Sequence, residues 1–566
     1  MRLRRRSASR QNHLVDHLVG ATLAAVYLIV LLKTARGIGY ARDEGFYFRA
    51  SSSYAAWFEL FFRDPAAAIQ RTIVDTYWSN NHEHPAFVKS VFALSWDLLF
   101  KKWNLFVEEG TSYRFGGMCF AAAGLWLIYL WGARARSRTV GLVAALLFAL
   151  MPRVFYHAHL DCFDVPMVVM WTLCAYCYWR SLENLDLGWA IATGIVFGLA
   201  LDTKLNSWFL PPALVLHALL ARGPFIWRGL KRGQLRFPPA LVGMAAIGPF
   251  VFFALWPWIW FDTVERVKGY VGFHLNHEYY NIVFLGETYW RAPSPRIYAW
   301  VMTAATVPAI TLLLFLIGAA SRVRPTLATL FWSRFSRWGK DYDPRATDLL
   351  WAIGLSVPYA PWALSTTTPI FGGTKHWLTA YPFLCLFAAT GFEWVAAQLR
   401  SLVKRGVLTR LPSRVVDAAL GAAVLAAPLA ETAHSHPWGL SNYTPLVGGA
   451  SGAATLGLNR QFWGFTTGAV TDWLNEHVAP GQSVYIHDTA GESWDMLHHD
   501  GRLLPHVSAA WSIPSSAFAL YHHEEHMETI EYQIWAAYGT ATPAHLGVYD
   551  GVPVIYVYAK PGQPTR

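Results

Sequence analysis

Charge is scarce in this sequence. Of 566 residues, 14% are Asp, Glu, Lys or Arg, against about a quarter in ordinary globular domains. Set beside a 54% hydrophobic content and repeated apolar runs of bilayer-crossing length, the deficit excludes a soluble globular protein and implies an integral membrane protein. Cysteine is sparse as well. Cys119, Cys162, Cys174, Cys177 and Cys385 all fall in or beside apolar segments, so no disulfide framework follows. The C-x-x-C spacing of Cys174 and Cys177 lies inside an expected helix, where packing is the role. No P-loop or dinucleotide-binding glycine fingerprint is present, so no nucleotide site is required. The net charge of +10 gathers in short loops, which is a topology signal rather than a nucleic-acid signal.

What the sequence does have is Trp, 28 in all, enough for two interfacial belts. It also has apolar runs, at about 17–36, 113–133, 139–152, 163–180, 187–202, 205–221, 238–260, 298–320, 347–365, 377–398 and 415–430, read as about eleven spans at ~20 residues each. The basic start "MRLRRRSASR" and the first run share the outline of a signal peptide but lack a small-residue cleavage site, so a retained first helix with a cytoplasmic basic end is expected. Loops 134–138, 222–237, 321–346 and 399–414 are dense in Arg and Lys, and 180–186 falls on the same side. The alternate loops carry His, Asp, aromatics and Gly instead. This is the positive-inside pattern. It places on the outer face the segment 37–112, with amphipathic stretches at 50–63 and 84–104, the segment 261–297, and the tail 431–566. The tail alternates strand-like pieces ("SVYIH", "VPVIYVYAK") with helix-like ones ("TGAVTDWLNEHV"), which predicts a small α/β domain.

The outer face holds the chemistry. Asp43 and Glu44 follow the first helix directly, and acids at a membrane boundary are functional candidates as well as ordinary loop acids. "HEHPAFVK" offers His82, Glu83 and His84, which suit a metal or a proton relay. "RVFYHAHLDCFDVP" offers Arg153, His157, His159, Asp161 and Asp164. Lys204 stands in a minimal loop, His274, His277, Glu278 and Arg291 stand in 261–297, and Lys375 and His376 follow a Gly-Gly turn. Cations beside His and Gly-rich turns suit a phosphate, or simply snorkel at the interface. In the tail, His522, Glu525 and His526 have H-x-x-E-H spacing without the surrounding context of a zinc peptidase. "SNYT" (441–444) has the form of a glycosylation sequon.

In order, one span, "RDEGFY", "HEHPAFVK", "HLDCFDVP", "FLGETYWRAPSPRIYAWVMTAATVP" and the stretch 440–464 resemble the dolichyl-phosphate-mannose–protein mannosyltransferase superfamily, whose bacterial relatives include the aminoarabinose transferases. One position departs: the second Pro of the family's His-Pro-Pro motif is Ala86. The resemblance implies an all-α polytopic membrane protein of the GT-C glycosyltransferase fold. It comprises a transmembrane catalytic part (1–430) and an extracytoplasmic α/β part (431–566). It implies sugar transfer from a polyprenyl-phosphate donor to a protein, lipid or glycan hydroxyl by inverting displacement, in a bacterial inner membrane. Asp43 with Glu44 would be catalytic and Lys204, Arg153, Lys375 and His376 would hold the phosphate. His82, Glu83, His84, His157 and Asp164 would surround the substrate. No cofactor is required, and Glu83 and His84 are the candidates for a divalent metal. The competing class is a transporter or flippase, which would place its charges at the bilayer midplane in two related halves.

Overall fold

The computed structural model describes residues 2–233, 237–330, 343, 345–365, 367–368, 370, 372–405 and 412–562. Much of the expected basic loops over 321–346 and 399–414 lies outside the described residues. Each expected apolar run yields helix, but the count of eleven spans is not carried over. Among the described residues five helices are long and apolar enough to cross a membrane: His13–Gly37, Glu109–Ala135, Ala309–Leu330, Leu378–Val403 and Ser413–Ser435. Shorter apolar helices lie at Arg138–Ala149, Leu187–Leu201 and Pro239–Leu255. The run 298–320 is broken because Val307 is extended (φ −90°, ψ 131°) ahead of Pro308, as sterics before proline demand. The run 347–365 breaks at Pro358, where a short 3₁₀ turn, Val357–Tyr359, interrupts it.

Helices pack closely where glycines meet. A Cβ on Gly318 would overlap the Phe387 carbonyl, and one on Gly391 would overlap that of Leu314. The Ala309–Leu330 and Tyr381–Arg405 helices therefore touch backbone to backbone, the packing that small residues permit in a bilayer. Gly391→Leu is expected to force this pair apart, seen as a lower melting temperature in detergent with Gly421→Leu, at a roomy position, as the unaffected control.

The two ends of the bundle differ in composition. At one end Asp348 pairs with Arg136 and Arg322, and Asp16 with Arg138. At the other lie the Arg42–Arg63 helix, the Phe87–Ser95 helix, the Thr263–Leu275 helix and a hairpin of β1 (Ile282–Phe284) and β2 (Glu287–Tyr289). Leu285 and Gly286 turn the hairpin with φ of 54° and 81°, the left-handed pair that two-residue hairpins need.

Beyond the Ser413–Ser435 helix the chain builds a mixed sheet. Its strands are β3 (Ser483–Tyr485), β4 (Ser508–Ala510), β5 (Phe518–His522), β6 (His545–Tyr549) and β7 (Val552–Ala559), in the order β4-β3-β5-β7-β6. β3 runs parallel to β4 and β5, while β7 runs antiparallel to β5 and β6. Every residue of β5 is buried. Of the H-x-x-E-H residues, His522 is therefore interior, with its ring on the His487 carbonyl at 2.8 Å and on Thr467 at 3.1 Å. Asn442 of the sequon is buried too and accepts a hydrogen bond from the Tyr549 hydroxyl at 2.9 Å. It is closed to modification in the folded protein.

Candidate functional site

The acidic pair opens the Arg42–Arg63 helix rather than lying in a loop. A helix turns successive residues by about 100°, so its two carboxylates face different surroundings. Glu44 points into the bundle. Its side chain and that of Arg114 are both 0% exposed, joined by two bonds of 2.7 Å. The Glu44 carboxylate also accepts the backbone N–H of Ala41 at 2.9 Å and of Asp161 at 3.0 Å. It is fully engaged in holding three segments together and does not reach the cavity.

Asp43 faces the other way, into a cavity of about 510 Å³. Around it the walls bring Arg42, Lys204, Lys375 and His376 against Glu83, Asp164, His84 and His274, with Tyr47, Phe163, Phe273 and Trp362 as apolar surface. Lys375 Nζ lies 3.3 Å from Asp43 Oδ2 and Arg42 Nε lies 3.6 Å from Oδ1. Burial works against the Asp43 charge, but Lys375 and Arg42 outweigh it and hold the carboxyl below its ordinary range. Lys375 is itself seated 4.0 Å over the Trp463 ring. Across the cavity Lys204 Nζ sits 2.6 Å from Asp164 Oδ1.

Two histidines of this cavity, His84 and His274, are held in the neutral form by burial. Burial pushes His84 well down, reinforced by His274 and by Lys89, Lys204 and Lys375. Burial pushes His274 down to about 4, although its ring bonds the Glu83 carbonyl. Among the described residues no group of three or more His, Cys, Asp and Glu side chains is arranged to hold a metal ion.

Lys89 explains how the Glu83–His84 turn is shaped. Its buried ammonium donates to the carbonyls of Asn81 at 2.6 Å and His84 at 2.9 Å, and burial lowers its pKa to about 7. The departure at Ala86 also has a physical reason. The Ala86 N–H donates to Asp202 Oδ1 at 3.1 Å, and Asp202 Oδ2 has no partner. Proline carries no N–H. Ala86→Pro is expected to strip this buried carboxyl of its backbone N–H donor and to cost about 1–3 kcal/mol, read as a lower melting temperature in detergent.

Seven of the residues expected at the site line the cavity: Asp43, Glu83, His84, Asp164, Lys204, Lys375 and His376. Four do not. Glu44 serves the core, as described. Arg153, expected to meet phosphate, is buried against Tyr443 and Phe462, with ring centroids at 5.1 and 5.3 Å. The segment after the last long helix covers it. His157 is buried behind the wall, 4.0 Å from Asp164 Oδ2. His82 turns back to the Ser79 carbonyl at 2.8 Å and lies against Trp258. Sequence reasoning also missed residues. Arg42 was visible beside Asp43 but not weighed. Asp488, which meets Arg42 Nη1 at 2.5 Å, and Trp463 come from the tail with no local motif to mark them.

Fold and site together define an integral membrane protein with a mixed-charge cavity at one end of its bundle. Residues 99–258 match the profile of the dolichyl-phosphate-mannose-protein mannosyltransferase family, so the resemblance read from the sequence stands over that stretch. Comparison with curated proteins yields no match. Among solved structures, ArnT from Cupriavidus metallidurans bound to undecaprenyl phosphate is similar at 16% identity, with 95% of this chain and 97% of that one covered and a TM-score of 0.45. Its apo state gives 15%, 97%, 98% and 0.46 in the same order. The Archaeoglobus fulgidus oligosaccharyltransferase AglB, in complex with an inhibitory peptide and a dolichol-phosphate, is 12% identical over 92% of this chain and 70% of that one, with a TM-score of 0.45.

Proposed function

We propose that the protein is a membrane glycosyltransferase of the GT-C type. It moves a sugar from a polyprenyl-phosphate donor to an acceptor hydroxyl on the extracytoplasmic face. The observation that carries this reading is an ionised Asp43 on the wall of a cavity that also presents Lys375, Lys204 and Arg42. Asp43 takes the acceptor hydroxyl proton while that oxygen bonds to the anomeric carbon. The bond from that carbon to phosphate breaks on the opposite side, and the configuration inverts. The departing phosphate gains negative charge, and Lys375 and Lys204 receive it. Glu44 and Arg114 act as the mount that fixes the first turn of the helix carrying Asp43. Exposed Leu275 and Leu364, 76% and 82% accessible, follow the cavity residues Phe273 and Trp362 in sequence and suit contact with lipid.

The test is transfer of labelled sugar by the detergent-purified protein from a panel of polyprenyl-phosphate sugars, with membrane extract as acceptor. Transfer from one donor supports the reading. Transfer from none, by folded protein that also moves a lipid-linked sugar across vesicles, would replace it with a flippase. Lys375→Met should weaken polyprenyl-phosphate binding and, by removing a cation, raise the Asp43 pKa. Equilibrium binding of a polyprenyl phosphate to the detergent-purified variant measures the loss.

A further inference from the structure

The first turn of the Arg42–Arg63 helix is gripped from the tail. The Arg42 N–H donates to the Trp463 carbonyl at 2.8 Å. Ser493 Oγ donates to the Ala41 carbonyl at 2.9 Å. A Cβ on Gly45 would meet Ala490 Cβ at 2.7 Å and Ser493 N at 2.9 Å, so the Arg42–Arg63 helix touches the start of the tail helix Gly491–His499. Just before this turn, Arg502 Nη1 donates to the Ile38 carbonyl at 2.8 Å, and Tyr40 donates to Asp500. Within this grip one contact reaches the chemistry. Arg42 spans two carboxylates, Asp43 on its own helix and Asp488 on the tail, with the Asp488 bond the shorter at 2.5 Å. Arg42 also lines a second, smaller cavity with Asp488, Glu524 and His526. Arg42 and Tyr280 line both that cavity and the one holding Asp43.

We infer that Asp488 is a positioning residue for the transfer: it draws Arg42 back from Asp43, leaving the Asp43 carboxylate free to accept the acceptor proton. The inference rests on the glycosyltransferase reading for its consequence, but the geometry it asserts can be tested alone. When Asp488 loses its charge, Arg42 closes on Asp43 and occupies the lone pair that the proton needs. The groups facing Asp488 are Arg42 and Asp43 from the first helical turn and Glu524 from beyond β5. His526 pairs with Glu524 at 3.0 Å, Tyr280 faces Arg42, and His487 and His522 pack behind. Burial pushes the Asp488 carboxyl up to about 6, against the pull of Arg42. As pH falls through that value Asp488 protonates and lets Arg42 go. Asp43, held low by two cations, is still charged there.

Two measurements decide the matter. In transfer assays the wild-type rate should fall on an acid limb near pH 6. Asp488→Asn should lower kcat roughly tenfold or more at pH 7.5 with KM for donor little changed, and should abolish that limb. Asp488→Glu should restore both. A purely structural role would reduce folded protein but leave kcat per folded molecule and the limb in place, and that result would overturn the inference. The second measurement needs no activity. In Asp43→Cys protein, the pH dependence of alkylation of the new thiol by iodoacetamide is read by peptide mass spectrometry. Adding Asp488→Asn should move the thiol titration to lower pH, and by more than it does in an Arg42→Gln background, where only the direct loss of the Asp488 charge acts. Movement no larger than in that background, or movement upward, overturns the inference whatever the enzyme proves to transfer. Failure of transfer in wild type with the thiol shift intact overturns the glycosyltransferase reading and spares the positioning role.

Discussion

Asp43→Asn is expected to reduce sugar transfer by about a hundredfold to ten-thousandfold, the range that a positioned base contributes, while folding and polyprenyl-phosphate binding persist. Asn has the shape of Asp and still accepts a hydrogen bond from Lys375, which now lies 3.3 Å from Oδ2. It cannot take a proton. The neighbouring cations are unaltered, so a phosphate still finds Lys375 and Lys204. The measurement is the single-turnover rate with saturating donor, alongside equilibrium binding of a polyprenyl phosphate. A rate within threefold of wild type would remove Asp43 from the chemistry. The pH dependence carries a sign as well. Asp43 is held low by Lys375 and Arg42, so its own protonation limits the rate only at pH values below the ordinary carboxylate range.

The second large effect is on the fold. Glu44→Gln or Arg114→Met should each cost about 3–5 kcal/mol, because each strands a buried charge without its partner. Glutamine keeps one acceptor oxygen, so one of the N–H groups of Ala41 and Asp161, which bond different Glu44 oxygens, also loses its acceptor. The expected outcome is little folded protein at 37 °C, seen by gel filtration in detergent. The joint replacement Glu44→Gln with Arg114→Met should recover part of the loss, since no unpaired charge remains. If single and joint variants fold like wild type, the pair is not the mount described for Asp43. The two acids, adjacent in sequence, thus predict opposite phenotypes: Asp43→Asn yields stable, inactive protein and Glu44→Gln yields unstable protein.

That contrast marks how far the sequence could be read. Apolar runs located the helices, because hydrophobic length is a local property. Asp43, Asp164, Lys204 and Lys375 were found for the same reason: polar residues stand out at the ends of apolar runs. What the sequence could not tell was direction. Glu44 and Asp43 are equally acidic neighbours, and only helix phase against the bundle separates them. Arg153 read as one more outer cation until the returning segment with Tyr443 and Phe462 covered it. Asp488 lies far along the chain from Arg42, in a tail without motif, and nothing short of the folded contact pairs them. The helix breaks at Val307 and near Pro358 are, by contrast, written in the prolines that divide those two apolar runs.

The grip of the tail on residues 38–45 bears on how this protein can be re-engineered. Exchange of the tail for that of a similar chain would be a natural engineering step if the two parts were modular. They are not, because Gly45 has no room beyond Ala490 and Ser493 and Arg42 needs a carboxylate where Asp488 stands. A working chimera must carry Arg42 and Gly45 with their partners as one inherited unit, and drift at any of these positions is tolerable only with compensation across the seam.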